Sequence, residues 1–275
     1  MQQTITVQII GNGPGAFPSF YGKTIPVFFN RANHAVAPSG EIWIRNQKVA
    51  GAGPGTPRFS VAPNDAADAF GGKEALESRL EESADKLKLE LGCEPSSGLA
   101  TVATFTLSTL PVEVYRMPLR PSLLRPSDLD ERKPLACAFH NWLGEQRIAW
   151  RMIRSEPQLR WESFTRRKRQ EASLKNGESP YQLLLEWMEM AEKNGPDWQH
   201  QHPLRELVNN QRLNWTVHQD RESLLKLEKF FFLERKERQT KKWWLYSNDL
   251  SQVLDNLLEI QTNAQHSWYA KEAGG

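Results

Sequence analysis

The stretch VQIIGNGPGAF, residues 7–17, decides how the first half of the chain is interpreted. Its apolar, β-branched beginning predicts a buried strand, and its glycines predict a tight loop directly after that strand. Gly11, Gly13 and Ala16 satisfy the dinucleotide pattern G-x-G-x-x-G/A, in which small residues let the backbone approach a phosphate. The stretch therefore leaves three alternatives: a dinucleotide site, a loop for another nucleotide, or a turn without a ligand.

The residues that follow this loop argue against a dinucleotide site. Such a site needs a helix of several turns between the loop and the second strand. Here about ten residues separate Ala16 from Val27, and Pro18, Gly22 and Pro26 interrupt them. The second predicted strand also ends without the acidic residue that would bind a ribose. An oxidoreductase with a flavin or nicotinamide stays an alternative, as does a purely structural turn.

Composition narrows the function classes further. The 275 residues have a formal net charge of +2, so no excess of positive charge calls for a nucleic-acid partner. No stretch is apolar enough for a transmembrane helix, and the N-terminus lacks the pattern of a secretory signal. Cys93 and Cys137 are too few for a disulfide framework or a zinc site. We therefore expect a cytoplasmic protein.

The chain changes character near residue 145 and predicts a domain at 1–150 and another at 151–275. Before this point, apolar segments alternate with Gly/Pro loops and helical segments, which predicts an α/β domain with an open, mostly parallel, Rossmann-like sheet. The predicted strands are residues 5–10, 27–29, 41–44, 112–115 and 135–139, and the predicted helices are 73–91 and 98–110.

The second half predicts a helical appendage. Ser179, Asp220 and Ser247 are expected to cap helices over residues 181–193, 221–238 and 249–266. Most of the tryptophans of this half recur at helical spacing, which predicts that they pack in a core.

Polar residues follow several predicted strands or open a predicted helix. Asn33 and Asn46 come after the second and third strands, Ser96-Ser97-Gly98 opens a helix, and His140-Asn141 follows the last predicted strand. Because ligands of parallel sheets bind beyond the carboxyl ends of the strands, these residues are candidates for a common site. Each also has a structural interpretation as a turn residue or a helix cap.

The order of these segments resembles the bacterial sialyltransferases of glycosyltransferase family 42. The matching segments are GNGPG at 11–15, FFNRAN at 28–33, EIWIRN at 41–46, PSSGLATVATF at 95–105, VEVYRM at 112–117 and CAFHN at 137–141. The resemblance covers about the first 150 residues and implies a single nucleotide-binding domain similar to the GT-A variant of that family.

The resemblance implies transfer of sialic acid, or a related keto-sugar acid, from a CMP-sugar to a glycan or glycolipid hydroxyl, with inversion and without a metal or other cofactor. The implied general base is His140. The residues implied to hold the donor are Gly11, Asn12, Gly13, Pro14, Asn33, Asn46, Ser96, Ser97, Gly98 and Asn141. A histidine titrating near neutral pH and donors for the growing phosphate charge suit this chemistry.

One departure from the family concerns the leaving phosphate. The family has tyrosines after the strand that matches residues 112–115, whereas this chain continues Arg-Met-Pro-Leu-Arg-Pro. Arg116, Arg120 or Arg125 could supply the positive charge instead, and Arg120 is the catalytic candidate among them. The missing tyrosines also favour an alternative, a non-catalytic nucleotide-binding or interaction protein on the same scaffold.

Basic runs in the second half suggest a further partner. The segment RKERQTKKWW, residues 235–244, is interpreted either as a solvated helix face or as a peripheral contact with anionic lipid, with Trp243 and Trp244 at the headgroups. The second interpretation would locate the protein at the inner membrane. The resemblance also implies self-association into a homo-oligomer.

Overall fold

The structure, a computed structural model, describes residues 5–20, 23–29, 40–47, 57–62, 65–164, 179–196, 202–209, 215–234 and 241–272. Within them the strands are β1 Thr6–Ile10, β2 Thr24–Phe29, β3 Ile42–Asn46, β4 Phe59–Val61, β5 Val112–Tyr115 and β6 Leu159–Trp161. The helices are α1 Lys73–Leu91, α2 Ser97–Thr106, α3 Trp142–Ser155, α4 Pro180–Asn194, α5 His202–Asn209, α6 Trp215–His218, α7 Arg221–Glu228 and α8 Asn248–Glu272.

The strands form a six-stranded sheet in the order β4-β3-β2-β1-β5-β6. All neighbouring strands are parallel except β4, which pairs antiparallel with β3. In β1, Ile9 is aligned with Val27 of β2 on one side and with Val114 of β5 on the other, and all three side chains are buried. The predicted α/β architecture with a mostly parallel sheet is confirmed, and the strand order is compatible with a Rossmann-like fold.

One predicted strand is wrong. Residues 135–139 form no strand, because Ala136–Phe139 is a short 3₁₀ helix closed by hydrogen bonds from Ala138 N to Leu135 O and from His140 N to Cys137 O. The alternating apolar residues of this segment pack against the core of the helical unit instead of a sheet. A short apolar run is compatible with either structure when only the sequence is considered. His140 and Asn141 consequently do not lie at the end of a strand.

The ends of other elements also differ from the predictions. Helix α1 has the predicted bounds, because Gly92 adopts a left-handed conformation (φ 72°) and donates its N–H to Lys88 O, which ends the helix. Helix α2 ends at Thr106 and α7 at Glu228, both earlier than predicted. The short strands β4 and β6 are absent from the predictions, since three residues give little periodicity.

The helix caps agree largely with the sequence. Asp220 Oδ1 accepts the N–H of Ser223 at 3.0 Å, and Ser247 Oγ accepts that of Leu250 at 3.3 Å. Ser179 stands at the N-cap of α4, but its hydroxyl donates to Asp220 Oδ2 at 3.0 Å and makes no cap hydrogen bond.

The chain divides into two compact units that are interleaved in sequence. Unit 1 comprises Met1–Pro118 and Arg151–Thr165 and contains the sheet with α1 and α2. Unit 2 comprises Leu119–Trp150 and Arg166–Gly275 and contains α4 to α8. The sequence predicts a single boundary at residue 150, whereas the chain changes unit at three places.

The core of unit 2 is rich in tryptophan. Tyr181 packs edge to face on Trp215 and also contacts Trp268, and Trp243 and Trp244 are both buried. The predicted role of the described tryptophans as core residues is confirmed. The prediction that Trp243 and Trp244 lie at lipid headgroups is wrong, because their rings pack inside the unit. Residues 235–240 lie outside the described residues.

Candidate functional site

The carboxyl edge of the sheet in unit 1 brings together several of the predicted residues. From β1 the chain continues to β2 and β3 on one side of β1, and later returns to β5 on its other side. Such a reversal of strand order opens a crevice beyond the carboxyl ends of the two central strands. Gly11 directly follows β1, and Arg116 directly follows β5. The glycine loop therefore lies at the position where ligands of open α/β sheets bind.

The glycine loop is held against the end of β5 by its backbone. Gly11 N donates to Tyr115 O at 2.8 Å, and Gly13 N donates to Arg116 O at 2.9 Å. A Cβ at either glycine would overlap the carbonyl oxygen of Arg116. Both glycines are thus required by this close approach of two backbone segments, whether or not the loop also contacts a ligand. Residues 11–20 form no helix, as predicted.

Arg116 lies directly beside this loop, because its carbonyl and its side chain both bind Gly13. Its φ of 53° is unusual for a residue with a side chain, and such strain is frequent at functional sites. Its Nε donates to Gly13 O at 2.9 Å, and its guanidinium lies 4.1 Å from the centre of the half-exposed Phe17 ring. Within the described residues, its two Nη atoms have no hydrogen bond or ion pair. They are therefore free to bind an anion.

Asn46 and Ser97, two residues that the resemblance implies for donor binding, contact each other. Asn46, the last residue of β3, donates from Nδ2 to Ser97 Oγ at 3.0 Å. Ser97 is the first residue of α2, and Ser96 Oγ caps that helix by accepting the N–H of Leu99 at 3.2 Å. A helix N-terminus of this kind favours negative charge. The pair thus presents an amide and a hydroxyl beside partly positive backbone N–H groups.

Packing also requires a glycine at position 98. A Cβ there would overlap Sδ of Met117, whose side chain is buried against the start of α2. Met117 O in turn accepts the indole N–H of Trp161 at 2.8 Å. Gly98 and the segment after β5 are consequently fitted to each other.

The remaining predicted donor residues of unit 1 give less information. Asn12 Nδ2 makes a long contact of 3.4 Å to Phe29 O, and Pro14 is exposed. Asn33 lies outside the described residues. Their assignment to the donor stays a prediction.

Tyr115 ends β5 and has a restrained hydroxyl. It donates to Glu113 Oε2 at 2.9 Å. Burial, with this bond to the Glu113 carboxylate, raises the pKa of Tyr115 to about 12. The phenol therefore stays neutral at physiological pH.

His140 and Asn141 belong to a second cluster, in unit 2. They lie between the short 3₁₀ helix and α3, and Asn141 caps α3 by accepting the N–H of Gly144 at 2.9 Å. His140 Nδ1 lies 3.8 Å from Oε1 of Glu145, and its ring centre lies 5.1 Å from that of Trp142. The predicted base therefore lies near a carboxylate, at a distance too long for a hydrogen bond.

A buried ion pair adjoins Asn141. Glu228 accepts from Asn141 Nδ2 at 3.2 Å and from Arg147 Nε and Nη2 at 2.9 and 3.1 Å. No sequence pattern links Glu228 to residues that precede it by 87 and 81 positions. Glu145 follows His140 by only five residues, but nothing in its spacing distinguishes it from a surface glutamate. Neither Glu145 nor Glu228 was therefore predicted from the sequence as a member of this cluster.

The other two arginines proposed for the leaving phosphate are engaged in unit 2. Arg120 forms an ion pair with Glu259 of α8. Arg125 is buried and donates to Asn248 Oδ1 at 2.7 Å and to Asp130 O at 3.0 Å. Burial lowers the pKa of the Arg125 guanidinium, although nearby acidic groups counteract this effect. Of these three arginines, Arg116 is the one that belongs to unit 1, where it directly follows β5.

The described part of the chain contains no group of three or more His, Cys, Asp or Glu residues that could hold a metal ion. Among the same residues, none of the helices is both long and apolar enough to span a membrane. No family model, curated protein or solved structure matches the chain.

Proposed function

We propose that the protein is a sialyltransferase-like glycosyltransferase. It would move sialic acid, or a related keto-sugar acid, from a CMP-sugar to a glycan hydroxyl without a metal. The observation that supports this proposal most is the carboxyl edge of the sheet, where Arg116 contacts the glycine loop and where Asn46, at the end of β3, contacts Ser97. An edge of this kind, with a helix N-terminus and a guanidinium whose two Nη atoms have no hydrogen bond among the described residues, is suited to the phosphate and carboxylate of such a donor.

The proposed reaction forms one bond and breaks another. The acceptor oxygen bonds to the anomeric carbon of the donor sugar, and the bond from that carbon to the phosphate oxygen breaks. CMP leaves with the electron pair, and His140 takes the proton of the acceptor hydroxyl. Attack opposite to the leaving group inverts the anomeric centre. The positive charge of Arg116 would stabilise the departing phosphate.

Calorimetric titration with CMP, CMP-sialic acid and NADPH tests the proposal. We expect the two cytidine compounds to bind and NADPH not to bind. Arg116→Gln should weaken CMP binding at least tenfold, which corresponds to the loss of a charge-assisted hydrogen bond. Arg120→Gln is the matched control and should bind CMP like the original chain. Absence of CMP binding would contradict the proposal, and binding of NADPH alone would favour an oxidoreductase.

Donor hydrolysis tests the catalytic role of His140. We expect slow release of CMP from CMP-sialic acid, lost in His140→Ala while CMP still binds.

A non-catalytic nucleotide-binding protein is the second candidate. It is favoured by the absence of tyrosine from residues 116–121 and by the engagement of Arg120 and Arg125 in unit 2. Binding of CMP without any hydrolysis or transfer, in the presence of a range of glycan and glycolipid acceptors, would support this candidate over the enzyme.

A further inference from the structure

The glycine loop and the two residues after it, residues 11–17, run along the side chain of Arg116. The carbonyl oxygen of Gly13 accepts the Nε–H of Arg116 at 2.9 Å. A Cβ at Gly15 would lie 3.5 Å from Cγ of Arg116, so the backbone there adjoins the aliphatic part of the side chain. The guanidinium lies over the ring of Phe17, with its carbon 4.1 Å from the ring centre. Gly13, Gly15 and Phe17 thus form a cradle for one arginine, which we call the arginine cradle.

Two backbone donors of the loop are already used within the protein. In loops that bind phosphate through their backbone, successive N–H groups donate to the anion. Here Gly11 N donates to Tyr115 O at 2.8 Å, and Gly13 N donates to Arg116 O at 2.9 Å. These two N–H groups are consequently not available to an anion, and the side chain of Arg116 brings a positive charge to the loop instead.

The hydrogen bond of Nε decides which donors of Arg116 remain for a ligand. A guanidinium has its N–H groups in one plane, in a fork that matches two oxygens of one anion. Because Nε is engaged by Gly13, the remaining fork consists of the two Nη atoms, which have no hydrogen bond or ion pair among the described residues. Two parallel donors fit a phosphate or a carboxylate group, whereas a halide ion presents no pair of oxygens.

The guanidinium is fixed before any ligand binds. The hydrogen bond to Gly13 and the contact with Phe17 both restrict the side chain of Arg116, and a cation is attracted to the face of an aromatic ring. Binding to a side chain that is already ordered loses less conformational entropy, which raises the affinity. The Phe17 side chain is 44% exposed, so this ring is not a residue of the core.

We propose that Phe17 is a positioning residue that holds Arg116 for an oxoanion, a phosphate or carboxylate group. The glycine loop then acts through this arginine and not through the N–H groups of Gly11 and Gly13. The inference rests on the proposed function for the identity of the whole ligand, in which the oxoanion is the phosphate of the CMP-sugar. The contacts of the arginine cradle do not depend on that identity.

The oxoanion can be tested on the unchanged protein with inorganic phosphate. Side-chain N–H signals of Arg116 are followed by NMR while phosphate replaces chloride at constant ionic strength. We expect these signals to shift saturably with phosphate and not with chloride alone, and the amide signals of Gly11 and Gly13 to shift less. Arg116 signals that did not respond to phosphate, or that responded equally to chloride, would overturn the proposal.

Substitutions of Phe17 separate positioning from a structural role. Phe17→Leu keeps an apolar side chain without the ring and should weaken phosphate binding about threefold, as expected for the loss of a partly exposed cation–π contact. Phe17→Trp should restore the affinity, because indole is the best ring for this contact. Midpoints of urea unfolding should be alike in all these chains. Leu107→Ala removes an apolar side chain of unit 1 that is 71% exposed, and as the control it should bind phosphate like the original chain.

Arg116→Lys tests whether the fork is needed in addition to the charge. Lysine keeps the positive charge but has neither an Nε donor for Gly13 nor two parallel donors for an anion. Phosphate binding should therefore weaken about tenfold. Affinity equal to that of the original chain in either Arg116→Lys or Phe17→Leu would contradict the arginine cradle.

Titration of the same variants with CMP distinguishes this inference from the proposed function. If phosphate binding depends on Arg116 and Phe17 but CMP does not bind, the proposed function fails and the arginine cradle stands. If CMP binds equally to the original chain, Phe17→Leu and Arg116→Lys, the inference about the arginine cradle is wrong while the proposed function is not affected.

Discussion

At the scale of single residues, the absence of a side chain is a packing requirement at Gly11, Gly13 and Gly98. Each of these glycines faces the segment Arg116–Met117, which leaves no space for a Cβ. Arg116 itself has a left-handed conformation that brings its carbonyl toward the loop. The loop after β1, the start of α2 and the segment after β5 are therefore mutually fitted.

Gly11→Ala should destabilise unit 1. The new methyl group would overlap a backbone carbonyl, which can move only by disturbing β5, and overpacking of this kind costs about 1–3 kcal/mol. Urea unfolding at pH 7 measures the change. Ala16→Ser, at an exposed position of the same loop, is the control and should leave the midpoint unchanged. Equal midpoints for Gly11→Ala and the original chain would show that the loop is not held against Arg116.

Asp220 is the residue at which pH should affect stability. Burial would raise its pKa, but hydrogen bonds from Ser223 and Ser179 prevail and lower the pKa below the usual 3.8. A depressed pKa means that the stabilisation is present above about pH 4 and is lost as the pH falls through the folded-state value. Asp220→Ala should therefore lower the free energy of unfolding by about 1 kcal/mol at pH 7, with a smaller difference at pH 3.

The measurement for this prediction is urea unfolding of both chains at pH 7 and pH 3. Asp128→Ala, which removes an exposed aspartate, is the control and should match the original chain. If the difference in unfolding free energy between Asp220→Ala and the original chain were larger at pH 3 than at pH 7, the prediction would be wrong.

At the scale of elements, helix α1 protects the edge strand β4. Glu81 Oε1 accepts the N–H of Phe59 at 3.0 Å, and Glu77 Oε1 accepts that of Val61 at 2.7 Å. Arg58 donates to Glu81 and Glu94 at 2.7 and 3.0 Å. Side chains of the helix thus bind N–H groups that an edge strand would otherwise expose, which prevents pairing with other chains.

Arg58→Met should loosen this edge. Burial alone would lower the pKa of the Arg58 guanidinium, but hydrogen bonds to Glu81, Asp85 and Glu94 raise it above its ordinary value, so the cation is firmly held. Its loss leaves the carboxylates of Glu81, Asp85 and Glu94 with fewer donors and should cost about 1–3 kcal/mol. Urea unfolding measures this loss, and hydrogen exchange at Phe59 and Val61 should become faster.

The matched control for this edge is Lys86→Met, which removes an exposed ion pair with Glu82 of the same helix. It should change neither stability nor exchange appreciably. If the two variants behaved alike, the network around Arg58 would contribute no more than a surface pair.

At the scale of the whole molecule, the units are interleaved, and β6 belongs to the sheet although it follows α3 in sequence. Val112 of β5 is aligned with Leu159 of β6, and the indole of Trp161 binds Met117 O. A boundary at residue 150 therefore removes a strand from unit 1. Sequence composition places one boundary at residue 150, whereas the contacts between residues assign 151–165 to unit 1 and 119–150 to unit 2.

A fragment of residues 1–150 should be less stable than one of residues 1–165. The shorter fragment lacks β6, so β5 becomes an edge strand, and the buried Leu159 and Trp161 are lost. Thermal unfolding followed by circular dichroism should give a lower midpoint, or no cooperative transition, for 1–150. Transitions of equal midpoint would mean that β6 does not stabilise the sheet.

The local features of the fold were predictable because they depend on neighbouring residues. Helix α1, the caps at Asp220 and Ser247, and the strand 112–115 follow from periodicity, capping chemistry and glycine conformation. The strand predicted over 135–139 was wrong because an apolar segment of this length fits a sheet or a helical core equally well. The positions of Asn46 and Ser97 at the end of a strand and the start of a helix were predictable from local sequence, whereas the contact of Glu228 with Asn141 was not.

The sequence by itself determined the α/β character of the first half, the glycine loop after β1 and the helical character of most of the second half. These properties follow from the spacing of residue types that are close to one another in the sequence. Only the tertiary structure decided that the glycines face Arg116, that Trp243 and Trp244 are buried, and that Glu228 binds Asn141 and Arg147. Such contacts depend on which surfaces become buried together, and burial is a property of the packed chain rather than of any segment.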